Sequence, residues 1–415
     1  MKALKTKLRL KKKQYVEMKR LCYYSKNLYN QANYLIKQYW KYTGSYLNYY
    51  DMDYVMKGRS NLDGKINYRL LKAKVSQQVL RKLDKNWLSF FRSMKDWKKF
   101  PIKYKGMPRP PKYLKEYNNL VYDYQAFTVK EKCIKLVKNI KINIPVMLKN
   151  EVIKQIEIIP KEYHFDVVYV YEDKVDYKQV KESGNVMGID LGLNNLAACV
   201  SNVIEPFIVN GRPIKSINQY YNKKRSKISS CLEKRNKSKT SKKLKHLLHY
   251  RSNKVNDYLH KVSRLVVNKC VENKISTVVV GDVSKSLSKI KLGKRNNQNF
   301  VNISLGQFIY KLKYKLEHHN IKLKLTDERY TSKCSFIDND KLPSKIASKG
   351  TYEFSGRRVK RGLYRTANKV LINADVNGAY NIVRKVVKKF NINLLKDLIE
   401  GNSLSCWLHP HKLNV

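Results

Sequence analysis

Three carboxylates stand where short apolar runs end. Asp190 closes the first such run, in Met187-Gly-Ile-Asp-Leu-Gly-Leu193. Glu328 follows the run 321–326, in Thr326-Asp-Glu-Arg-Tyr-Thr-Ser-Lys333, and Asp375 lies in Leu371-Ile-Asn-Ala-Asp-Val-Asn-Gly-Ala-Tyr-Asn-Ile382. Each has a plain use when taken singly. Asp375 could cap a helix, Asp190 could form the turn before Gly192, and Glu328 could pair with Arg329 at the surface. Together they describe a different device. Parallel strands that deliver carboxylates to one sheet edge, with another at a neighbouring helix start, can hold two Mg²⁺ ions about 4 Å apart. Hard oxygen ligands suit Mg²⁺, which accepts substrate phosphate as a further ligand. One ion then activates the attacking water and the other stabilises the leaving 3′ oxygen, which is the chemistry of phosphodiester hydrolysis.

The rest of the composition supplies the substrate. Lys and Arg number 87 against 32 Asp and Glu, a formal charge of +55. An AT-rich coding bias would raise Glu along with Lys, yet acids are scarce. A charge this large repels itself unless a polyanion neutralises it, and its spread along the chain suits a long track of phosphates. Hydrophobic residues make up 42%, enough for a folded chain, and 415 residues exceed one ordinary core. The opening MKALKTKLRLKKK has no apolar segment of a secretory signal, and no apolar run approaches bilayer length. Cysteines 22, 133, 199, 231, 270, 334 and 406 are scattered without a CxxC pair, a pattern that predicts reduced cytoplasmic thiols.

Several elements must position the acids. Residues 14–97 read as helical: Met18, Leu21, Leu28, Ala32, Leu35 and Tyr39, then Leu71, Val75, Val79, Leu83, Trp87, Phe90 and Met94, recur at helical spacing. Their aromatics read as core, and the basic faces read as the nucleic-acid contacts. A Pro-rich basic stretch, 100–113, is irregular because Pro blocks helix and ladder alike. The period then changes to two, with strands over 140–144, 152–159 and 165–171, and 4–10 as the first strand of the same β-rich domain. Lys181–Asn185 reads as a linker. Beyond it the pattern is α/β: strands at 186–190, 196–201 and 205–209, a basic helical hairpin over 214–273, a buried strand at 275–281, a helix at 304–319, a strand at 321–326 and a last amphipathic helix at 373–388.

The segments GIDLG, the basic hairpin, Thr277–Val283, YTSK (Tyr330–Lys333) and the closing D-x-N-x-A-x-N-I resemble the RuvC segments of the TnpB proteins, which are encoded by insertion sequences and similar to type V CRISPR effectors. The resemblance is close over 186–388 and looser upstream. It implies an α/β RNase H-like (RuvC) nuclease domain over 183–388, with a nucleic-acid-loading lobe at 331–370. It implies a β-rich wedge domain over 1–13 and 98–182, a helical recognition domain inserted at 14–97, and a tail at 389–415. The implied function is an RNA-guided DNA endonuclease that binds a structured guide RNA, reads a short flanking motif, and cuts double-stranded and single-stranded DNA with Mg²⁺. Asp190, Glu328 and Asp375 are then the catalytic metal ligands, and Lys333, Arg361, Arg365, Lys103 and Lys105 the nucleic-acid contacts. Alternatives are a nuclease-inactive guided repressor and a CRISPR effector using a crRNA. A DNA transposase would also use three acids, but YTSK and the closing motif speak against it.

Two departures from the family matter. A four-Cys zinc ribbon is usual before the final motif, and this chain has Cys334 alone there, so no structural zinc is expected. The lobe is instead expected to be held by Phe336, Ile337, Phe354 and Tyr364. The family's middle Glu is replaced by Gly281. Glu328 is expected to fold back over the small Gly281, whereas Asp282, one residue past the ligand position, should point away unless the strand has already ended.

Overall fold

Alternation along β1 (Lys2–Leu8), with every second side chain exposed, places one face of the strand inward. In the computed structural model this strand opens the first of two units, Met1–Val175 and Asp176–Val415. The structure describes all residues except 132, 173–183, 237–239, 283–303, 344–351, 361, 389, 391 and 396–403. Part of the expected linker 181–185 and the predicted contact Arg361 therefore lie outside the described residues.

In the first unit, α1 (Lys12–Thr43) buries Met18, Leu21, Leu28, Ala32 and Ile36. It stops at Gly44, whose φ of 68° places it in the left-handed region that glycine adopts without penalty. After α2 (Tyr49–Met56), α3 (Ala73–Lys99) buries Val75, Val79, Leu83, Trp87 and Phe90. Trp40, Trp87, Phe90 and Phe91 meet with ring centroids 5.3–5.8 Å apart, and the buried Trp87 indole donates to Asn33 at 3.0 Å. Trp87 and Phe90 are core, as the spacing predicted, whereas Tyr39, read on the same stripe, is exposed. Strands β2 (Leu120–Asp123), β6 (Ile153–Pro160) and β7 (Phe165–Tyr171) join β1 in an antiparallel sheet of order β1-β7-β6-β2. A smaller sheet holds β3 (Thr128–Lys130), β4 (Cys133–Val137) and β5 (Ile140–Asn143). One continuous hydrophobic cluster runs through both helices and sheets.

The second unit is built on a six-stranded sheet. It contains β8 (Val186–Leu191), β9 (Asn195–Ser201), β10 (Phe207–Asn210), β11 (Thr277–Gly281), β12 (Lys322–Thr326) and β16 (Lys412–Leu413), in the order β12-β11-β8-β9-β10-β16. β8, β11 and β12 are parallel, and β9 runs against β8. β11 is buried along its whole length, as a parallel strand covered on both faces must be. One face packs on α5 (Lys242–Glu272) and α6 (Leu305–His318) through Val262, Val266, Phe308 and Leu312. α4 (Arg212–Asn236) forms the other arm of the basic hairpin. The opposite face carries α7 (Ala374–Val386) through Ala379, Tyr380 and Val383. A small antiparallel sheet of β13 (Arg357–Lys360), β14 (Leu363–Arg365) and β15 (Leu371–Asn373) leads into α7.

The expected C-terminal tail is not a tail. Phe390, Leu395 and Trp407 enter the core beneath α7, α8 (Leu404–Leu408) carries that Trp, and β16 pairs in parallel with β10. A two-residue strand and a five-residue helix are too short to show a period, so only long-range pairing reveals them.

Candidate active site

Side-chain alternation on β8 decides what Asp190 faces. Met187, Ile189 and Leu191 enter the core under α5 and α6, which turns Gly188 and Asp190 toward α7. Gly188 is small for a reason: a Cβ there would come within 2.7 Å of the Ala379 carbonyl, so α7 lies directly against the strand. Gly378 does the same beside the carboxylate, where a Cβ would stand 2.8 Å from Asp190 Oδ2. The Asp190 carboxyl is thus enclosed between strand and helix.

Parallel pairing of Val280 with Ile189 places Gly281 beside Asp190 on the same face. The missing Gly281 side chain leaves a space, and Glu328 fills it. A Cβ on Gly281 would lie 2.7 Å from Glu328 Cγ and 2.8 Å from Cδ, and would collide with Oε1. Local chain geometry aims Glu328 inward. Asp327 turns the other way, accepting from Lys385 at 2.6 Å and pairing with Arg329 at 3.2 Å. Thr331 then donates its hydroxyl to the Glu328 carbonyl at 2.8 Å, closing the turn. The surface partner of Arg329 is therefore Asp327.

Asp375 lies in the first turn of α7, but the cap is Asn373, whose side chain accepts from the amides of Asp375 and Val376. Asp375 is left to accept from Asn195 Nδ2 at 2.7 Å, and Arg358 stands 3.6 Å from its other oxygen. Neither Asn195 nor Arg358 is marked by sequence spacing. They arrive from β9 and β13, elsewhere along the chain.

The electrostatics fit a cation. Burial, then the charges of Glu328 and Asp375, hold the Asp190 carboxyl well above the usual carboxylate range. Burial, then the charge of Asp282, pushes Glu328 up to about 7, against the pull of Lys385. Glu328 Oε1 is buried with no hydrogen-bond partner, a costly state for a polar atom. Desolvated, mutually repelling carboxylates with an orphaned oxygen are the donor set that a hard divalent ion would satisfy. Among the described residues, no three His, Cys, Asp or Glu side chains close around a single point. Asp282 meets the condition under which it need not point away, the strand having already ended. β11 ends at Gly281, the Asp282 amide donates to the Thr326 carbonyl at 2.7 Å, and its charge reaches Glu328.

The asparagines of the closing motif hold the segment that follows Glu328. Asn377 accepts from the Phe336 amide at 2.9 Å and donates to the Cys334 carbonyl at 2.8 Å. Asn381 donates to the carbonyls of Thr331 at 3.0 Å and Cys334 at 2.8 Å. Asp340 accepts from the Ser335 amide at 2.7 Å and from the Ser355 hydroxyl, and Tyr364 donates to the Lys333 carbonyl at 2.7 Å. Phe336 stacks on Tyr380 at 4.3 Å. Phe336 and Tyr364 are buried and Ile337 packs against them, whereas Phe354 is half-buried and stacks on Tyr330 instead. Of the predicted nucleic-acid contacts, Lys333 and Lys105 are exposed and Arg365 is half-buried on β14. Lys103 is tied to Asp96 at 2.7 Å.

Residues 166–287 match the family described as a probable transposase, OrfB_IS605, and residues 306–382 match the TNB domain of Cas12f1-like proteins. Over these two segments the chain is similar to OrfB_IS605 transposases and Cas12f1-like proteins. The two matched segments contain Asp190, Glu328 and Asp375 between them. The chain is similar in structure to a Cas12f1 protein solved with single-guide RNA and target DNA, with a TM-score of 0.52 and 14% identity over 90% of this chain and 83% of that one. It is also similar to AacC2c1 solved with single-guide RNA and extended non-target DNA, at a TM-score of 0.44 and 8% identity over 92% and 69% of the two chains. The Cas12f1 likeness is one of fold. No curated protein matches this chain by sequence.

Proposed function

We propose that this chain is an RNA-guided DNA endonuclease that hydrolyses phosphodiesters with Mg²⁺ at Asp190, Glu328 and Asp375. The observation that carries the reading is the Glu328 side chain seated over Gly281, beside a half-buried Asp190 whose charge it and Asp375 both oppose. Magnesium, when bound, lowers the pKa of an attacking water and neutralises charge on the phosphate and leaving oxygen. The protein's own residues do the rest. Asp190 is held in one orientation by β8 and the close approach of Gly378. Asn195 fixes one oxygen of Asp375, and Arg358 stands where it can balance the charge of a scissile phosphate.

Guide RNA and DNA are the partners in this reading, which is how the +55 charge is neutralised. Sequence would be read by base pairing and the protein would read backbone shape. In the cytoplasm, residues 1–13 and 98–182 would serve as wedge, 14–97 as recognition helices, and 331–370 as the loading lobe. A nuclease-inactive guided binder is the second reading, favoured by the Gly at 281 and opposed by the Glu that fills its place. The test is to sequence the RNA that co-purifies with the chain and to incubate that complex with a plasmid library bearing random flanking sequence. A discrete structured transcript with a variable 3′ guide, and Mg²⁺-dependent cleavage lost in Asp190→Ala, is the expected result. Guided binding without cleavage at any divalent ion would establish the inactive reading.

A further inference from the structure

The outward face of α1 carries a pattern that the active site does not use. Lys19, Tyr23, Lys26, Tyr34, Lys37 and Lys41 follow helical steps of three and four, with Asn30 filling the one gap. They form a single stripe, opposite the buried Met18, Leu21, Leu28 and Ile36. From Lys19 to Lys41 the stripe is about 33 Å long. Tyr23 is 45% and Tyr34 52% exposed, large rings left in solvent on a helix that has a core to offer them.

The Pro-rich basic segment runs antiparallel beside this stripe. Asn33 donates to the Pro111 carbonyl at 3.0 Å, Asn30 bonds both the amide and the carbonyl of Leu114, and the Ser25 hydroxyl donates to the Asn119 carbonyl. So fixed, the segment sets Tyr113 and Tyr117 next to the lysines. Lys37 lies 4.2 Å from the Tyr113 ring centroid, Lys19 5.4 Å from that of Tyr117, and Lys26 4.0 Å from that of Tyr23. Among the described residues, none of Lys19, Lys26, Lys37 and Lys41 pairs with a carboxylate. At the Lys19–Lys26 end the stripe opens into a cleft of about 620 Å³ bounded by Lys115, Lys161, Glu116 and Glu162, a size that accepts a nucleotide.

We propose that this stripe holds a single-stranded stretch of RNA, with phosphates on the lysines and unpaired bases stacked on Tyr23, Tyr34 and Tyr113. A duplex would use the charges and leave the rings idle, because its bases are already stacked inside. Single strands use both, through a basic track interleaved with aromatic platforms. Lys26 and Lys37 lie over the rings of Tyr23 and Tyr113, and both rings remain exposed. The choice of RNA rests on the guided reading above, since loops and ends of a structured RNA present the splayed bases that proteins stack upon.

Full-length protein stripped of nucleic acid would be titrated with a short uridine-rich single-stranded RNA, the same-sequence DNA, and a fully paired RNA hairpin. Tyr23→Ala with Tyr34→Ala should weaken the single-stranded RNA about tenfold and leave the hairpin within about twofold. The matching Phe variant should bind as wild type, because a phenyl ring still stacks, and it controls for folding. Lys26→Gln with Lys37→Gln should flatten the salt dependence. Photocrosslinking with bromouridine RNA should mark peptides containing Tyr23, Tyr34 or Tyr113. Unchanged RNA affinity with no crosslink on this face overturns the proposal, as does an equal loss for the hairpin or a larger loss for DNA. If these variants bind RNA normally while the wild type still cuts guided DNA, this inference alone falls. If no RNA co-purifies and no DNA is cut while the probe still binds the stripe, the guided reading falls and the stripe stands.

Discussion

At the scale of single residues, the proposed metal site turns on Glu328. Its side chain replaces the one Gly281 lacks, and the two positions are coupled: Glu328 sits where it does only because residue 281 has no Cβ. Gly281→Ala is therefore expected to displace Glu328 and lower guided cleavage by about 100-fold, the cost of a misplacement near 1 Å, with guided DNA binding intact. Single-turnover cleavage beside a binding titration checks this. Glu328→Gln should abolish Mg²⁺-dependent cleavage, as Asp190→Ala and Asp375→Ala should. Asp282→Asn should retain most activity, because the carboxylates whose charge acts on Asp190 are Glu328 and Asp375. The reverse ranking of Glu328 and Asp282 would move the third ligand to Asp282 and leave the nuclease reading in place.

At the scale of elements, α7 is the clamp. It opposes Asp190 through Gly378, carries Asp375, and reaches through Asn377 and Asn381 to the turn that aims Glu328. Asn381→Ala removes the side-chain donor to the Thr331 carbonyl and leaves the Cys334 carbonyl to Asn377 alone, a loss of about 1–3 kcal/mol for a buried group. Thermal unfolding should register it, and cleavage should fall further than stability does. The packing of α5 on α6 holds a second buried device. Lys315 donates to the His260 carbonyl at 2.8 Å and to Ser263 Oγ at 2.7 Å, and burial, then the charges of Arg264 and Lys311, bring it down to about 8. Its folded value lies below its unfolded one, so between about pH 8 and 10.5 the unfolded chain binds more protons. Stability contributed at this site therefore rises with pH across that window. Thermal midpoints of wild type relative to Lys315→Met should rise from pH 8 to 10, and a flat difference would show that the ammonium costs nothing here.

At the scale of the whole molecule, charge governs behaviour. A net +55 predicts heavy nucleic-acid contamination until the chain's own RNA is co-expressed. Affinity for non-specific DNA should fall by about 10³–10⁵ between 50 and 200 mM salt if six to ten phosphates are neutralised. A flat response would remove the extended track. Among the described residues, no helix is long and apolar enough to cross a membrane.

The sequence by itself determined the elements and the acids. Periods of 3.6 and 2 are local properties, so the outer ends of the helical stretch 14–97 and the strands β7, β8, β9 and β11 were legible within a residue or two, whereas the breaks at 44–48 and 57–72 that divide that stretch into three helices were not. Asp190, Glu328 and Asp375 stood out because acids are rare in this chain. Even the fit of Glu328 over Gly281 followed from strand order and side-chain length. Tertiary structure alone decided the rest. Asn195 and Arg358 reach Asp375 from 180 and 17 residues away, β16 finds β10 across the whole unit, and Asn377 and Asn381 bond carbonyls some 40 to 50 residues earlier. The end of β11 before Asp282 and the exposure of the α1 tyrosines belong here too. Composition read aromatics as core, but a helix turns about as many residues to water as to its core, and only packing says which rings are left outside.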